Sequence, residues 1–528
     1  MNLRDSLLDA LKSLPGTREL HIHTLTSAPS RTHELFPYAS PRPRVWQQHI
    51  IVLASEQPSV AQPRVFVTAV EAYFYVIPST RSGILYVSKV DSTGQGKKPS
   101  PTSTIVKRLI QFYVNPDTRP NLAGAGGVSE YVWVHVFARA QSQYLFPNSA
   151  DFEGKKPLSD VKLCAWWKAV LASVAEELLK RTGRKEGERI KLWHVLPGLN
   201  ELEAFQTLGS PSTNLNPSSS SDPPSVTWTY GHPSTQKPDD ANSIPLPCPA
   251  GGKGGTSGGG LNLGRLIPSF EDDPKARFMD EIAHTTSSDV IRSPVRKKAK
   301  KAANEDIHEV EGKDGSRAGE LEKVTPEEYW ERMSFRQECV AGIVTGFFAM
   351  GYANPSSGVG ESDSPTFAPQ PGQVSSNITK RVMNSLMTGI EFSTVDRAVR
   401  GTEMLEGAIK GMCEGISVGV GGVDSPRLRQ EHGRKTPEPT EGRDHLTVSP
   451  NTPPCRTGFG GDLGATEIFP NPFPEPTASL ETYTSWIYGS VWIDNPLPAK
   501  PPGEREGTDK APGRRITVLA VRKKRKKE

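Results

Sequence analysis

Three short stretches carry residue types that do chemistry. In FEDDPKARF (270–278), Asp272 and Asp273 stand beside Lys275 and Arg277 at what reads as a helix start. Carboxylates there complement the helix dipole, or they act as a base beside a substrate. LYVSKVDSTG (85–94) is a strand that ends in Lys89 and Asp91 and runs into a turn, either a solvated loop start or the lip of a site. FARAQSQYLFPNS (137–149) leads to KLCAWWKAVL (162–171), where Trp166 and Trp167 point about 100° apart on a helix. One of the two can then face a cleft, with plain core packing as the competing reading.

Other chemistries find less support. His21 and His23 share one face of a strand over 20–27, but no third ligand is near, so a surface role is expected and no metal site. The five cysteines lie far apart without a CxxC pair; Cys164 and Cys339 sit among apolar neighbours in helical patterns and read as core, which fits a reducing compartment. GGKGGTSGGG (251–260) lacks phosphate-loop spacing and reads as linker. Asn377-Ile378-Thr379 matches a glycosylation sequon, expected to be idle.

The elements that must position these residues are strands first. Apolar, β-branched and aromatic runs at 45–54, 65–77, 84–90 and 131–138 have strand length and are bounded by Pro, Ser or Gly. Helices are expected over 2–14, over 103–114, and from Ser159 as N-cap through Trp166 and Trp167 to about 180. Asp273-Pro274 and Thr325-Pro326 each pair a capping residue with proline at the first helical position. The second of these helices is expected to continue to about 350, and one or two more occupy 376–415. Strands from the N-terminal half with helices after them give an α/β or α+β domain around a mixed sheet.

Gly (48) and Pro (47) together approach a fifth of the 528 residues, so much of the chain cannot bury a core. The expected division is 1–207 as the first part of one domain, 208–262 a disordered linker, and 263–285 an active-site segment. A charged disordered insertion follows at 286–323, C-terminal helices at 324–420, and a disordered tail at 421–528. A Pro/Ser/Gly linker also covers 354–375. The tail holds an aromatic patch, Tyr483, Trp486, Tyr488 and Trp492, of a kind more often a short docking segment than a catalytic element. No run is long and apolar enough to suggest a membrane span or a signal peptide. Net charge is only +4, yet the basic residues clump at 296–301 and 522–527, which favours nuclear import.

Taken together, the SKxD-TG turn, the A-R-x-x-S-Q-Y-L-F-P block, the tryptophan pair and DDPKARF resemble the regulator-of-Ty-transposition family, the fungal acetyltransferases of histone H3. RMSFRQECVAGIV (332–344) and the apolar-then-basic end at 516–527 are similar to further family segments. The resemblance implies a mixed central sheet ringed by helices, of the CBP type, and acetyl-CoA as cosubstrate with no metal. Asp273 then matches the proposed acid/base residue, with Asp272 its neighbour and Lys275 a lysine that the family acetylates on itself. Asp91 and Trp167 match the substrate-lysine entrance, and Tyr144 and Arg277 the surrounding network. Contacts to acetyl-CoA are implied for Val90, Asp91 and Ser92, and for the loop Pro99, Ser100, Pro101, Thr102 and Ser103. Phe137, Gln141, Lys156, Pro157, Leu158 and Trp166 complete that set.

The loop 99–103 lacks arginines that some relatives carry, and Lys97 and Lys98 are the substitutes at hand; the connection 115–130 is short and Gly-rich. The implied partners are histone H3–H4 and histone chaperones of the anti-silencing-function and nucleosome-assembly-protein types. The implied setting is the nucleus, in chromatin assembly, replication, transcription regulation and the DNA-damage response. Two alternatives differ in class. A scaffold that has lost catalysis predicts damage at the acidic cluster or the SKxD turn. A nucleic-acid binder predicts a recognisable reading motif, which the sequence lacks.

Overall fold

The computed structural model describes residues 2–120, 130–181, 187–209, 226–236, 243–248, 262–284, 321, 323–336, 342–354, 370–414 and 475–497. Helix α1 (Leu3–Leu11) opens on Asn2, whose side chain accepts from the Asp5 N–H, and it buries Leu3, Leu7 and Leu11. Strands β1 (Gly16–Ser27), β3 (Val45–Gln57), β4 (Val65–Ile77) and β5 (Ser82–Ser92) then pair antiparallel in sequence order, with β2 (Ser30–Thr32) on β3. After α2 (Thr102–Val114), β6 (Tyr131–Ala138) joins β5 in parallel. Helix α3 (Asp160–Leu179) leads to β7 (Arg189–Val195), α4 (Glu201–Leu208) and β8 (Trp228–Tyr230). Short α5 (Leu263–Leu266), α6 (Pro274–His284) and α7 (Pro326–Met333) precede β9 (Gly346–Ala353) and β10 (Gln373–Val374). Helices α8 (Ser376–Thr388) and α9 (Val395–Cys413), the turn α10 (Leu480–Thr482) and β11 (Tyr488–Asn495) complete the described chain.

Among the described residues, eleven strands form one mixed sheet in the order β10-β1-β3-β4-β5-β6-β9-β7-β8, with β11 added beside β1 and β2 beside β3. Because successive strand residues face opposite sides, β5 sends Leu85 and Val87 into a core shared with α1, α2, α3, α8 and α9, and Ile84 and Tyr86 into a second core. Strand β6 divides likewise, Val132 and Val134 against Trp133. Around Phe347, a third cluster gathers the apolar sides of α5, α6 and α7.

Several expectations are corrected here. The helix opened by Thr325 ends at Met333, and 346–353 is a strand, not helix: it lies between β6 and β7 with every residue buried. Cys339 lies outside the described residues. Parts of the supposed linkers are structured: β8 pairs with β7, Ile244 is fully buried, and β10 pairs with β1. Helix α4 carries a capping box between Asn200 and Glu203 that the sequence reading passed over, as it did β7. The aromatic patch is no part of a disordered tail, for β11 pairs with eight residues of β1. The sheet therefore draws on the C-terminal half as well. His21 and His23 are buried rather than at the surface, hydrogen-bonded to the Tyr488 and Tyr483 hydroxyls at 2.8 and 3.1 Å. The Gly-rich run, the basic runs at 296–301 and 522–527, and most of 115–130 beyond 120 lie outside the described residues.

Candidate active site

A cleft of about 440 Å³ opens where β5 ends, between the starts of α2, α3 and α6. Its wall begins with an irregularity in β5. Opposite Glu71 and Ala72 of β4 stand Lys89 and Val87, so Ser88 is an extra residue, a β-bulge. In a regular strand Ser88 and Lys89 would face opposite sides of the sheet. With the bulge, both reach one carboxylate: Ser88 Oγ lies 3.1 Å and Lys89 Nζ 2.5 Å from Asp272 Oδ2. Lys89 also donates to Glu71 Oε2 at 2.7 Å, and these anions hold its pKa above the ordinary lysine value against the opposing effect of burial.

Asp272 and Asp273 part company at the α6 start. The Asp272 side chain is 47% exposed and lines the cleft. Asp273 is fully buried and does not line it: Oδ1 caps α6 by accepting the Lys275 N–H at 2.8 Å, and Oδ2 lies 2.6 Å from Lys275 Nζ, an ion pair outside hydrogen-bond angles. Lys275 is equally enclosed, with Nζ 4.8 Å from the Phe347 ring centre and 5.6 Å from that of Phe270. Around this pair burial drives His135 and His232 well below the usual histidine pKa, with the Lys275 charge adding to it. Burial, then the Asp273 charge, pushes the Tyr86 and Tyr329 phenols well up. Tyr329 donates its hydroxyl to the Lys275 carbonyl at 3.1 Å.

Asp91 lines the cleft, but both of its oxygens are engaged. Oδ2 accepts from the N–H groups of Tyr144, Leu145 and Phe146 at 2.8, 2.9 and 3.1 Å. Oδ1 takes the Ser92 N–H and Lys155 Nζ, each at 2.8 Å. Asp91 thus ties the QYLFP loop to the end of β5 rather than facing substrate as a base. Tyr144, so held, has its phenol pushed up to about 12 by burial, so its hydroxyl stays protonated.

Trp166 and Trp167 both line the cleft, meeting edge to face at 4.7 Å, with Trp167 also in the core. Of the other sequence candidates, Val90, Ser92, Ser100, Thr102 and Ser103 line it, as do Phe137, Gln141, Lys156, Pro157, Leu158 and Arg277. Pro99 and Pro101 do not. Pro99 gives its carbonyl to Arg18, at 2.9 Å, and Pro101 is the N-cap of α2. Proline offers no capping side chain; Ser100 Oγ accepts from the Thr102 N–H at 3.4 Å, and Thr102 and Ser103 of the first turn of α2 line the cleft. Lys97 is no substitute cation, because its Nζ donates to the carbonyls of Thr17 and Pro58, and Lys98 is not in the lining. The cations present are Lys89, Arg139, Lys155, Lys156 and Arg277. Arg139, Lys155, Ser88 and Leu163 were missed by sequence reasoning, although Arg139 stands in the quoted A-R-x-x-S-Q block.

The model of the histone acetyltransferase KAT11-type domain matches residues 7–120 and 127–407. The chain is 27% identical over 358 residues to the histone acetyltransferase rtt109 of Aspergillus flavus, covering 64% of this chain and 54% of that protein. It is 23% identical over 298 residues to the protein of the same name from Schizosaccharomyces pombe, covering 55% and 58%. The matches therefore span little more than half the length of either relative. The crystal structure of Rtt109 from Aspergillus fumigatus superposes with a TM-score of 0.52 at 24% identity, over 77% of this chain and 94% of that one. The two share the fold, a mixed central sheet flanked by helices.

Proposed function

The chain belongs to the KAT11-type histone acetyltransferase family, and from that premise we propose that it transfers acetyl from acetyl-CoA to a lysine of histone H3. One observation carries the reading: a solvent-accessible carboxylate, Asp272, and the first turn of α2, whose N-cap is a proline, line the same cleft.

The residues present fit acetyl-CoA. The positive end of a helix, with no capping side chain from Pro101, suits a phosphate, and Lys156 and Arg139 add positive charge to the same lining. Val90, Phe137, Leu158 and Trp166 give an apolar stretch, and the volume falls in the range of roughly 300–1,000 Å³ that ligand sites occupy. When bound, acetyl-CoA supplies an activated acyl group as a thioester.

The chain's own residues do the rest. Asp272 receives the ammonium of the substrate lysine and takes its proton, with Ser88 and Lys89 fixing the carboxylate. The two tryptophans and Tyr144 wall the site against water, which strengthens the interaction of charges inside. Asp273, proposed from the family's pattern as the acid/base residue, is sealed behind Asp272 and paired with Lys275. Its part is to hold the start of α6. Acetylation of Lys275 by the enzyme itself would replace the ammonium that Asp273 faces with a neutral amide, a change in the local field rather than in the cleft lining.

The basic runs at 296–301 and 522–527 support nuclear import and contact with acidic histone chaperones, and the family resemblance extends this to chromatin assembly and the DNA-damage response. Incubation of the purified protein with labelled acetyl-CoA and H3–H4, with and without a chaperone, tests the central claim. Label on H3 is expected; none under either condition overturns it.

A further inference from the structure

Glu71 is absent from the cleft lining, yet it is joined to the cleft through a single side chain. It is 4% exposed; Oε2 accepts from Lys89 Nζ at 2.7 Å, and Lys89 Nζ in turn lies 2.5 Å from Asp272 Oδ2. The other oxygen, Oε1, is 3.1 Å from both His49 Nε2 and the Tyr73 hydroxyl, and the His49 and Tyr73 rings stack at 4.7 Å. Burial works to raise the Glu71 pKa, but the hydrogen bond from His49 and the charge of Lys89 outweigh it and hold it at about 2. Glu71 is therefore an anion at every working pH.

The charge count along this row decides what Asp272 offers a substrate. Lys89 alone beside Asp272 would form a closed, neutral pair with nothing left for a second cation. Glu71 supplies a second negative charge, so the triad Glu71–Lys89–Asp272 carries a net single negative charge, and its exposed end is Asp272. Outside the triad, Arg277 also lines the cleft, and His49 on Glu71 Oε1 adds a charge only when its ring is protonated. We propose that Glu71 is a positioning residue for the incoming lysine: by offsetting Lys89, it leaves Asp272 with an uncompensated charge for the substrate ammonium. This rests on the reading of Asp272 as the cleft's acceptor. The β5 bulge is what makes the arrangement possible, because it sets Lys89 directly opposite Glu71 while keeping Asp272 in reach.

Two variants test it by binding and by rate. A fluorescent H3 peptide is titrated into the wild type, Glu71→Gln and the double variant Glu71→Gln/Lys89→Gln, and initial rates are taken with H3–H4 and acetyl-CoA. Glu71→Gln should weaken peptide binding and raise the KM for H3–H4 by roughly tenfold, the scale of one charge-assisted contact, with the KM for acetyl-CoA within about twofold. Removing Lys89 as well restores the net charge and should recover most of the peptide affinity. Damage to the fold cannot produce that recovery, since the double variant loses more contacts than the single one. Unchanged peptide affinity in Glu71→Gln, or a double variant no better than the single, overturns the proposal. A wild type that binds the peptide in the expected order but never acetylates H3–H4 sinks the enzymatic reading instead.

Discussion

Lys155 Nζ lies 2.8 Å from Asp91 Oδ1, and both side chains are only 5% exposed. With three backbone N–H groups on the other oxygen, Asp91 has no lone pair free for a substrate proton. Asp91→Asn puts an amide N–H₂ where acceptors are needed and leaves the Lys155 ammonium without its partner. Breaking a buried ion pair from one side costs roughly 3–5 kcal/mol. Thermal unfolding should therefore show a marked loss of stability, with loop-dependent binding of acetyl-CoA weakened. A variant as stable as the wild type that has lost only turnover would make Asp91 a reacting group after all.

The two neighbouring aspartates should separate cleanly. Asp272→Asn removes the carboxylate that reaches the cleft, and turnover should fall by roughly 10²–10⁴-fold, the usual worth of a general base, with little change in melting temperature. Asp273→Asn keeps the cap on α6 but strands the Lys275 ammonium in an apolar shell, so its main effect should be on stability. Steady-state kinetics and thermal denaturation of both variants decide the matter. Full activity in Asp272→Asn would return the acid/base role to Asp273.

What the sequence disclosed follows from how local each signal is. The strands 65–77 and 131–138 were read to the residue, because β-branched and aromatic runs between Pro and Gly carry their own boundaries. GFFAMGYA (346–353) has no alternation, since both of its faces are covered, and a continuous apolar run does not distinguish strand from helix. Strand β11 was missed because its partner, β1, lies some 470 positions away in the chain. At the site, residue types were legible and directions were not. The segment DDPKARF announced two carboxylates, but only the packing of Lys275 against Phe347 and Phe270 decides that Asp273 is the enclosed one. The link from Glu71 to Lys89 needs a hairpin and a bulge, neither of which has a composition of its own.

The start of α2 and the exposed Lys156 predict how acetyl-CoA affinity responds to charge. Lys156→Ala removes a mobile cation near the phosphate-binding end, and the KM for acetyl-CoA should rise by roughly three- to tenfold. The difference between variant and wild type should shrink as salt is raised, because the Debye length falls from about 10 Å at 0.1 M to about 3 Å at 1 M. Turnover at saturating acetyl-CoA should stay the same. A KM that is indifferent to Lys156 at low salt would place the phosphates elsewhere on the cleft wall.

His21 and His23 make the attachment of 475–497 sensitive to acid. Burial, reinforced by the nearby Arg64 charge, lowers their pKa values from 6.5 to about 4 and about 3. His23 also feels His21. Facing them are the Tyr483 and Tyr488 hydroxyls, Glu19 at 3.5 Å from His21 Nε2, and the Arg64–Glu406 ion pair, which Ser55 also joins. Both rings are thus neutral when folded, whereas in the unfolded chain they take up protons near pH 6.5. The unfolded state then binds more protons between pH 6.5 and about 4, so stability is full above 6.5 and declines as the pH falls through that window. Glu71, held at about 2, contributes loss only below about 4.5, while His194, at about 4, and the buried His135 and His232 act in the same direction as the pair. Substituting both histidines, as in His21→Gln/His23→Gln, should lower stability at pH 7.5 and make its decline toward pH 5 shallower, the rest belonging to His135, His194 and His232. In the wild type, limited proteolysis within 475–497 should become faster over the same interval, as protonation sets charge beneath Tyr483 and Tyr488. An equal decline with and without the two histidines would assign the acid sensitivity to other groups and leave the docking of β11 indifferent to pH.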